Sequence, residues 1–566
     1  MKTNVALPIL LALLPILCLK LNAQTFEWAK KLTGSQWQSV RSLAVDEDKN
    51  VYTGGMFGGT VDFNPGNDIF NLTSAGGFDA FILKLDAAGN FVWAKNFGGI
   101  EEESVESVKV DALLNVFIAG RFTGTSDFDP GPGVYNITSA GQMDFYVVKL
   151  DSSGIFCWAK SYGNNQANWL YSMDLDQNSN VVITGMWTYN GDYDNLSVGA
   201  IANPLSPNSI FIYKLNDSGD NIWQKSIDGS GIASNSVSID PENNIYLTGG
   251  FWGPTDFDPG PGTYNLSGAG QEAFVLKLNQ DGEFVWAKNI GGIYHEIGRA
   301  IDAKQSDYVY FTGIFTGECD FDPGPLIYEL TPFGENDIFV EKLDASGNFI
   351  WAKQLGGKYD DDAYAITVDN EQNVYTIGEF NDTADFDPGP EKKLLVSGYD
   401  CGVYISSLTA NGEYNWSQQL CVLQSDLDYT IETDNGSGLL ISSVFEHSAD
   451  FDPGPGVYKL YPVLYSTEIF IVKWSQGVVG LMPEIPEDGF HIYPNPTTRL
   501  LKVDFEKTHS SVEIVLSNLV GHAILRKTFF STNHIELELQ EPAGMYFLEI
   551  ITDKRESRIG KVVIGK

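Results

Sequence analysis

Histidine is scarce in this chain. There are 6 in 566 residues, and only His295 and His447 fall between residues 24 and 489. A histidine-centred acid–base or nucleophilic set has little to draw on. No H-E-x-x-H, G-x-S-x-G or phosphate-cradling glycine loop occurs either, so the common hydrolase and nucleotide signatures are missing. Positive charge is also short: 35 Lys and Arg stand against 74 Asp and Glu, a net charge of −39. The deficit sits in residues 24–489, which hold 23 bases and 65 acids. Nucleic acid and anionic membrane are therefore disfavoured partners, and cations are favoured. Solvated acidic turns are the plainer account of much of this charge. No long amphipathic helix is visible, and no apolar run after the first 20 or so residues is long enough to span a bilayer. Cysteine is limited to Cys18, Cys157, Cys319, Cys401 and Cys421.

What the chain does have is repetition. DAFILKLDAAGNFVWAK (Asp79–Lys95) returns as DFYVVKLDSSGIFCWAK, EAFVLKLNQDGEFVWAK and DIFVEKLDASGNFIWAK, with looser copies from Ser209 and Cys401. Phe81, Leu83 and Leu85 alternate with Ile82 and Lys84, the period of a strand, and Asp86–Asn90 is turn chemistry around Gly89. The unit reads as a β-hairpin. A lone hairpin is marginal in water, so the copies must pack on one another. The tryptophan recurs at Trp28, Trp93, Trp158, Trp223, Trp286, Trp351 and Trp416, 65 residues apart except for one interval of 63. Two further markers keep step. One is Asp-Phe-Asp-Pro, first seen as Asp62-Phe63-Asn64-Pro65. The other is a strand pair such as SLAVDEDKNVYTGG (Ser42–Gly55). A fixed period with four strands per unit predicts an all-β, seven-bladed β-propeller over residues 24–476. The first tryptophan strand precedes any complete unit, and the last unit lacks one. The N-terminal strand is therefore expected to close the last blade and pair both loose edges. These motifs resemble the propeller repeats of secreted bacterial proteins. The resemblance implies fold and export but little chemistry.

The two ends read as export signals. Residues 1–23 carry Lys2, an apolar run from Val5 to Leu19 and then Asn22-Ala23, the pattern of a secretory signal peptide cleaved after Ala23. Cys18 follows Leu17, a poor context for lipidation. Residues 477–489 hold Pro483, Pro486 and several acids and read as a linker. From residue 490 short alternating apolar runs predict a small immunoglobulin-like β-sandwich. This tail resembles the C-terminal sorting domain of the type IX secretion system of Bacteroidetes. The resemblance rests on Tyr493-Pro494-Asn495-Pro496, Ser517–Gly521, the run around Gly544 and Tyr546, and the last residues around Lys561. It implies the type IX machinery as partner and a secreted or outer-membrane cell-surface location.

Candidate sites follow from the repeats. Five pairs, Asp127 with Asp129, Asp256 with Asp258, Asp320 with Asp322, Asp385 with Asp387 and Asp450 with Asp452, each place two carboxylates around an extended residue before a Gly-Pro turn. Hard oxygen ligands of that kind suit Ca²⁺, the one cofactor the sequence suggests, although two carboxylates are too few alone. The alternative is an aspartate-capped turn with Phe128 and its equivalents buried between blades. Loops after the second and fourth strands should share one face. That face would gather Trp37, Trp169, Tyr294, His295, Tyr359 and Asp360, an aromatic and acidic set suited to sugars. Packing against neighbouring blades is the plainer role for those aromatics. Cys401 and Cys421 lie symmetrically about the turn at Asn411, so a disulfide is expected in an oxidising compartment, with two free core cysteines as the alternative. The expected function is a non-enzymatic surface or released binding or adhesion protein meeting a glycan or a protein. The alternatives are a structural surface-layer component and, last, a propeller-based polysaccharide hydrolase or lyase.

Overall fold

The computed structural model describes residues 22–187, residues 209–478 with interruptions at 306, 399–401, 423–428, 435, 437, 455 and 464–465, and residues 490–564 with interruptions at 494–499, 518–522, 540–543 and 553–556. The chain divides into a unit of Asn22–Gly477 and a second unit that contains Val478–Lys566. Every regular element among the described residues is a β-strand. No helix among them is long and apolar enough to cross a membrane.

In the larger unit the strands group, in chain order, into seven four-stranded antiparallel sets. Their first strands are Gln38–Val45, Glu103–Val110, Asn168–Leu175, Ser230–Ile239, Glu296–Asp302, Asp362–Val368 and Thr430–Thr433. Each of these touches the next, and the seventh touches the first, so the inner strands form a closed ring. The last set takes its fourth strand from the other end of the chain: Asn22–Gly34 lies beside Glu468–Val478. Lys31 pairs with Glu468 at 2.7 Å, Lys473 with Glu27 at 3.7 Å, and Phe26 packs on Tyr458. The expected closure by the N-terminal strand is what the structure shows.

The repeated motifs are contacts between sets. The Phe of each Asp-Phe-Asp/Asn-Pro copy (Phe63, Phe128, Phe257, Phe321, Phe386, Phe451) is fully buried. It sits between an aromatic of the second strand and one of the third, as Phe128 does between Phe122 and Tyr146. The Asp before it pairs with the fourth strand of the preceding set: Gly98 opposite Asp127, Gly291 opposite Asp320, Gly356 opposite Asp385. The tryptophans reach the other way. Trp286 Nε1 donates to the Ala345 carbonyl at 3.2 Å in the next set, and its ring lies against Gly347, whose φ of +77° only glycine adopts easily. Trp158, Trp223 and Trp351 make the same bond. Trp93 and Trp416 do not; the Nε1 of each is buried with no acceptor among the described residues. For Trp416 the reason is topological. The seventh set has no hairpin between its third and fourth strands, so the turn carbonyl is missing. Trp286→Ala is therefore expected to cost about 3 kcal/mol in denaturant unfolding. Trp286→Phe should cost about 1 kcal/mol more than Trp416→Phe, because only the former loses a hydrogen bond.

In the C-terminal unit the five described strands are linked by hydrogen bonds into one continuous sheet. Leu500–Ser517 and Ala523–Glu538 are long and paired along most of their length, with a register break between Asp504 and His509. Apolar side chains from both sides of that break share one cluster, including Leu501, Val503, Ile514 and Leu548. The short strands expected from the alternation are thus halves of longer ones. Tyr493 ends the strand Phe490–Tyr493, Gly544 begins Gly544–Thr552, Tyr546 is buried, and Lys561 stands opposite Phe547. Pro494, Asn495 and Pro496 lie outside the described residues.

Candidate functional site

The motifs that recur in every set are used up in holding the ring together. A binding site must come from positions that do not repeat. Each inner strand has one. In the first six sets the register against the second strand slips around residues 41, 106, 171, 235, 299 and 364, a β-bulge at the equivalent place. A bulge leaves one residue unpaired and re-aims its side chain. Here those residues are Arg41, Glu106, Tyr171, Asn235, Arg299 and Tyr364, and Tyr429 holds the same place in the seventh set. All seven line a central cavity of about 220 Å³.

The cavity wall is organised by charge. Glu106 accepts from Arg41 Nη1 at 2.7 and 2.9 Å and from Arg121 Nε and Nη2 at 2.9 and 2.7 Å. The Ser104 hydroxyl donates to it as well, at 2.6 Å. Burial opposes its ionisation, but the two guanidiniums hold its carboxyl below the usual range. Arg121 stacks over Trp169 at 4.6 Å. In the fifth and sixth sets Arg299 Nη2 donates to Asp362 at 2.7 Å, and its guanidinium faces Tyr364 at 5.9 Å. Tyr364 stacks on Tyr429 at 5.4 Å with planes 28° apart, and the Tyr429 hydroxyl donates to Glu379 at 2.5 Å. Burial raises the carboxyl pKa of both Asp362 and Glu379. Serines also line the cavity. The Ser42, Ser172 and Ser236 hydroxyls accept from the N–H groups of Val108, Val237 and Ile301 in the next set. The Lys109–Asp174 and Lys304–Glu432 pairs, at 3.3 and 2.5 Å, belong to the same cavity, whose lining includes Lys109, Lys304 and Glu432.

Among the six loop residues singled out from sequence, Trp169 joins this cluster. Trp37 packs edge-on against Phe78, and His295 against Trp252. Tyr294 and Tyr359 are 49% and 38% exposed, and Lys358 lies over the Tyr359 ring. Asp360 is exposed and accepts from Asn336. These side chains are spread around the rim, each against its own neighbouring excursion.

The aspartate pairs, weighed from sequence as Ca²⁺ ligands or as turn caps, are seen in the structure capping turns. The first Asp of each pair bridges the turn. Asp127 Oδ1 accepts from the N–H of Asp129 and Tyr135. Asp256 accepts likewise from Asp258 and Tyr264, and Asp320 from Asp322 and Tyr328. Asp385 accepts from Asp387 and Lys393, and Asp450 from Asp452 and Tyr458. The second Asp caps the Gly-Pro bend. Asp129 Oδ1 accepts from Gly131 N–H, Asp258 from Gly260, Asp322 from Gly324, Asp387 from Gly389 and Asp452 from Gly454, at distances of 2.7 to 2.8 Å. The physical reason is that each carboxylate already spends an oxygen on backbone donors of its own loop. The two carboxylates of a pair are joined through a backbone N–H and do not converge on a shared point. Thus Asp129, Asp258, Asp322, Asp387 and Asp452 are placed as bend-capping residues, and Asp127, Asp256, Asp320, Asp385 and Asp450 as turn-bridging ones. No group of three or more metal-ligating side chains is found among the described residues. Cys421 is disulfide-bonded; Cys401 lies outside the described residues, and Cys157 and Cys319 are free.

The channel ring escaped the reading of repeats because that reading looked for what recurs. A signal was present nonetheless. Residues 24–489 contain three arginines: Arg41 and Arg299 line the cavity, and Arg121 shares Glu106 with Arg41.

Comparison with known proteins supports both halves. Residues 491–565 match the secretion system C-terminal sorting domain, and residues 350–381 match a β-propeller repeat. An uncharacterized WD repeat-containing protein of Acanthamoeba polyphaga mimivirus is 26% identical over 449 residues, 64% of this chain and 32% of that protein. The chain thus spans about a third of that relative's length. A crystal structure of a protein of unknown function from Bacteroides caccae aligns with a TM-score of 0.29 and 8% identity, covering 59% of this chain and 92% of that one. The chain is an all-β propeller-repeat protein with a C-terminal sorting domain of the type IX secretion system, and it is a secreted or cell-surface protein.

Proposed function

We propose that the propeller is a non-enzymatic binding module that meets a glycan or protein ligand at the arginine- and tyrosine-lined end of its channel. One observation carries this reading: bulges at a single equivalent position place Arg41, Glu106, Tyr171, Asn235, Arg299 and Tyr364 in the lining of one cavity. The aromatic and acidic rim of Trp37, Tyr294, His295, Tyr359 and Asp360 surrounds that end and supplies secondary contacts.

The test is a glycan and surface-protein array probed with the purified full-length protein and with Tyr171→Ala and Tyr364→Ala variants. Each variant is expected to lose at least about tenfold in affinity while melting close to the parent, since both side chains face the cavity. Undiminished binding by both variants would move the ligand to the outer loops. No binding by the folded parent, with disturbed surface assembly on deletion of the protein, would favour the structural role. Addition of a chelator is expected to leave binding unchanged, because the Asp-x-Asp oxygens already bond backbone N–H groups. Loss of binding with chelator would return Ca²⁺ to those segments.

A further inference from the structure

We infer that the junction between the fourth and fifth sets carries a second binding site, a platform of Trp252, Gln271, Tyr294 and His295 that takes a neutral pyranose unit of a glycan. The inference rests on the reading of the propeller as a binding module and adds a site outside the channel, since none of these four residues lines the central cavity. Strand register builds the platform. Trp252 ends the strand Ile245–Trp252 and stands opposite Gln271, the first residue of Gln271–Leu278. Gln271 is bridged in turn to His295, and its N–H donates to the Tyr294 carbonyl at 2.9 Å. An amide-bearing residue thus stands between two aromatic ones. The Trp252 and His295 rings meet at 5.2 Å with planes 73° apart. Trp252 and Tyr294 are 39% and 49% exposed, and His295 is exposed beside them.

This row does not repeat around the ring. Trp252 follows the buried Phe251, and the residues after the equivalent phenylalanines of the first, second, fifth and sixth sets are Gly58, Thr123, Thr316 and Asn381. In the second set the matching bridge joins Met143 to Ala167. In the fifth set Asn336 stands opposite Thr316, and its side chain is fully engaged. Its amide oxygen accepts from the Thr316 hydroxyl, and its nitrogen donates to Asp360 at 2.6 Å. At the platform the polar groups are unspent. The Gln271 amide, the Trp252 indole N–H, the Tyr294 hydroxyl and the His295 ring nitrogens have no hydrogen-bond partner among the described residues. A pyranose is the complement of such a surface: it lays C–H faces on rings and exchanges hydrogen bonds with an amide through its hydroxyls.

Charge and size narrow the ligand. Ser230 stands opposite Trp252, and the Tyr294 ring lies against Gly317, so residues 229–231, 250–255, 268–272, 291–296 and 315–318 meet here. They contain Glu272, Glu296 and Glu318 and no lysine or arginine. An anionic sugar is repelled from such a surface, and a neutral one is not. Three rings and the exposed Ile293 fall well short of the roughly 800 Å² that a protein partner covers, whereas one sugar unit needs no more.

The experiment is calorimetric titration of the full-length protein with a cello-oligosaccharide, a manno-oligosaccharide and a galacturonate oligomer, repeated with Trp252→Thr, Gln271→Ala and Tyr171→Ala. At least one neutral oligosaccharide is expected to bind with an affinity indifferent to salt, and the galacturonate oligomer at least about tenfold more weakly. Trp252→Thr is expected to lower neutral-sugar affinity at least about tenfold, and Gln271→Ala about fivefold. Tyr171→Ala is expected to leave this site unchanged. Threonine stands at the Trp252 place in two other sets, so Trp252→Thr should melt like the parent. If it fails to fold, Gln271→Ala decides alone. Neutral-sugar binding that survives Trp252→Thr and Gln271→Ala but is lost in Tyr171→Ala would overturn the platform and leave the channel reading standing. Galacturonate binding as tight as that of the neutral oligosaccharides would overturn the neutral assignment. No binding of either neutral oligosaccharide by a parent that melts cooperatively would overturn the platform.

Discussion

Replacing Glu341 by leucine is expected to raise the stability of the protein by about 3 kcal/mol at neutral pH. Glu341 sits in the third strand of the fifth set with no solvent exposure, and neither carboxylate oxygen has a hydrogen-bond partner among the described residues. The repeat shows what belongs there: the equivalent residues in four other sets are Leu83, Val148, Leu276 and Val472. On the same sheet face Phe339 and Leu343 flank it, in a cluster with Phe311 and Ala352. Burial pushes its carboxyl well above the usual range, and the nearby Asp322 and Asp320 push it further. The sign follows from linkage. The unfolded chain releases this proton near the ordinary carboxyl value, while the folded chain holds it. Folding is therefore penalised increasingly as pH rises above about 4.5. The Glu341→Leu advantage should be small near pH 4 and largest at neutral pH and above, read from urea unfolding at a series of pH values. A constant advantage across that range would show that the carboxyl stays neutral or finds a partner. Several other buried acids act in the same direction: burial raises Glu103, Glu296 and Asp361 to about 7, and Asp144 and Asp337 to about 6. The parent should thus melt higher at pH 5 than at pH 8.

Deletion of Asn22–Gly34 should do the opposite and prevent formation of a soluble monomeric ring. That strand is the fourth member of the seventh set. Without it Glu468–Val478 becomes an exposed edge and the first set loses its neighbour. Trp28, which bonds the Ala87 carbonyl of that set, and the buried Leu32 go with it. Glu468, fully buried, would lose its Lys31 partner. An open, unpaired strand is a template for association with other chains. The loss of one Trp, one Leu and a ladder of backbone bonds is comparable to the whole margin of stability of an ordinary domain. Size-exclusion chromatography of the truncated chain should show aggregate or no soluble protein, and addition of the missing strand as a peptide should recover monomer. A monodisperse, cooperatively melting truncation would mean that the ring does not depend on this closure.

Much of the architecture was open to inspection in the chain itself. The tryptophan period, the Gly89-type turns and the unpaired first strand each state a local requirement, and hairpin formation and turn chemistry are local. The cyclic closure followed because an incomplete repeat at each end leaves only one economical pairing. The Asp-x-Asp motif, by contrast, could not be resolved from spacing: capping a turn and binding a cation ask for the same residues. Only the structure shows the backbone N–H groups that these carboxylates cap, those of Tyr135 and Gly131 at Asp127 and Asp129, and those of Gly260, Gly389 and Gly454 at Asp258, Asp387 and Asp452. Where each loop aromatic packs, Trp37 on Phe78 and His295 on Trp252, depends on loop paths that sequence does not specify.

By itself the sequence determined the repeat, the class of fold, the closure by the N-terminal strand and the export signal in the tail, because each rests on patterns read along a few neighbouring residues. The tertiary structure alone decided that Arg41 and Arg299, widely separated in the chain, line one cavity with Tyr171, Tyr364 and Tyr429. A ring brings together one residue from every turn of the repeat. Which residue it brings is set by a one-residue bulge in strand pairing that leaves no local mark in the sequence.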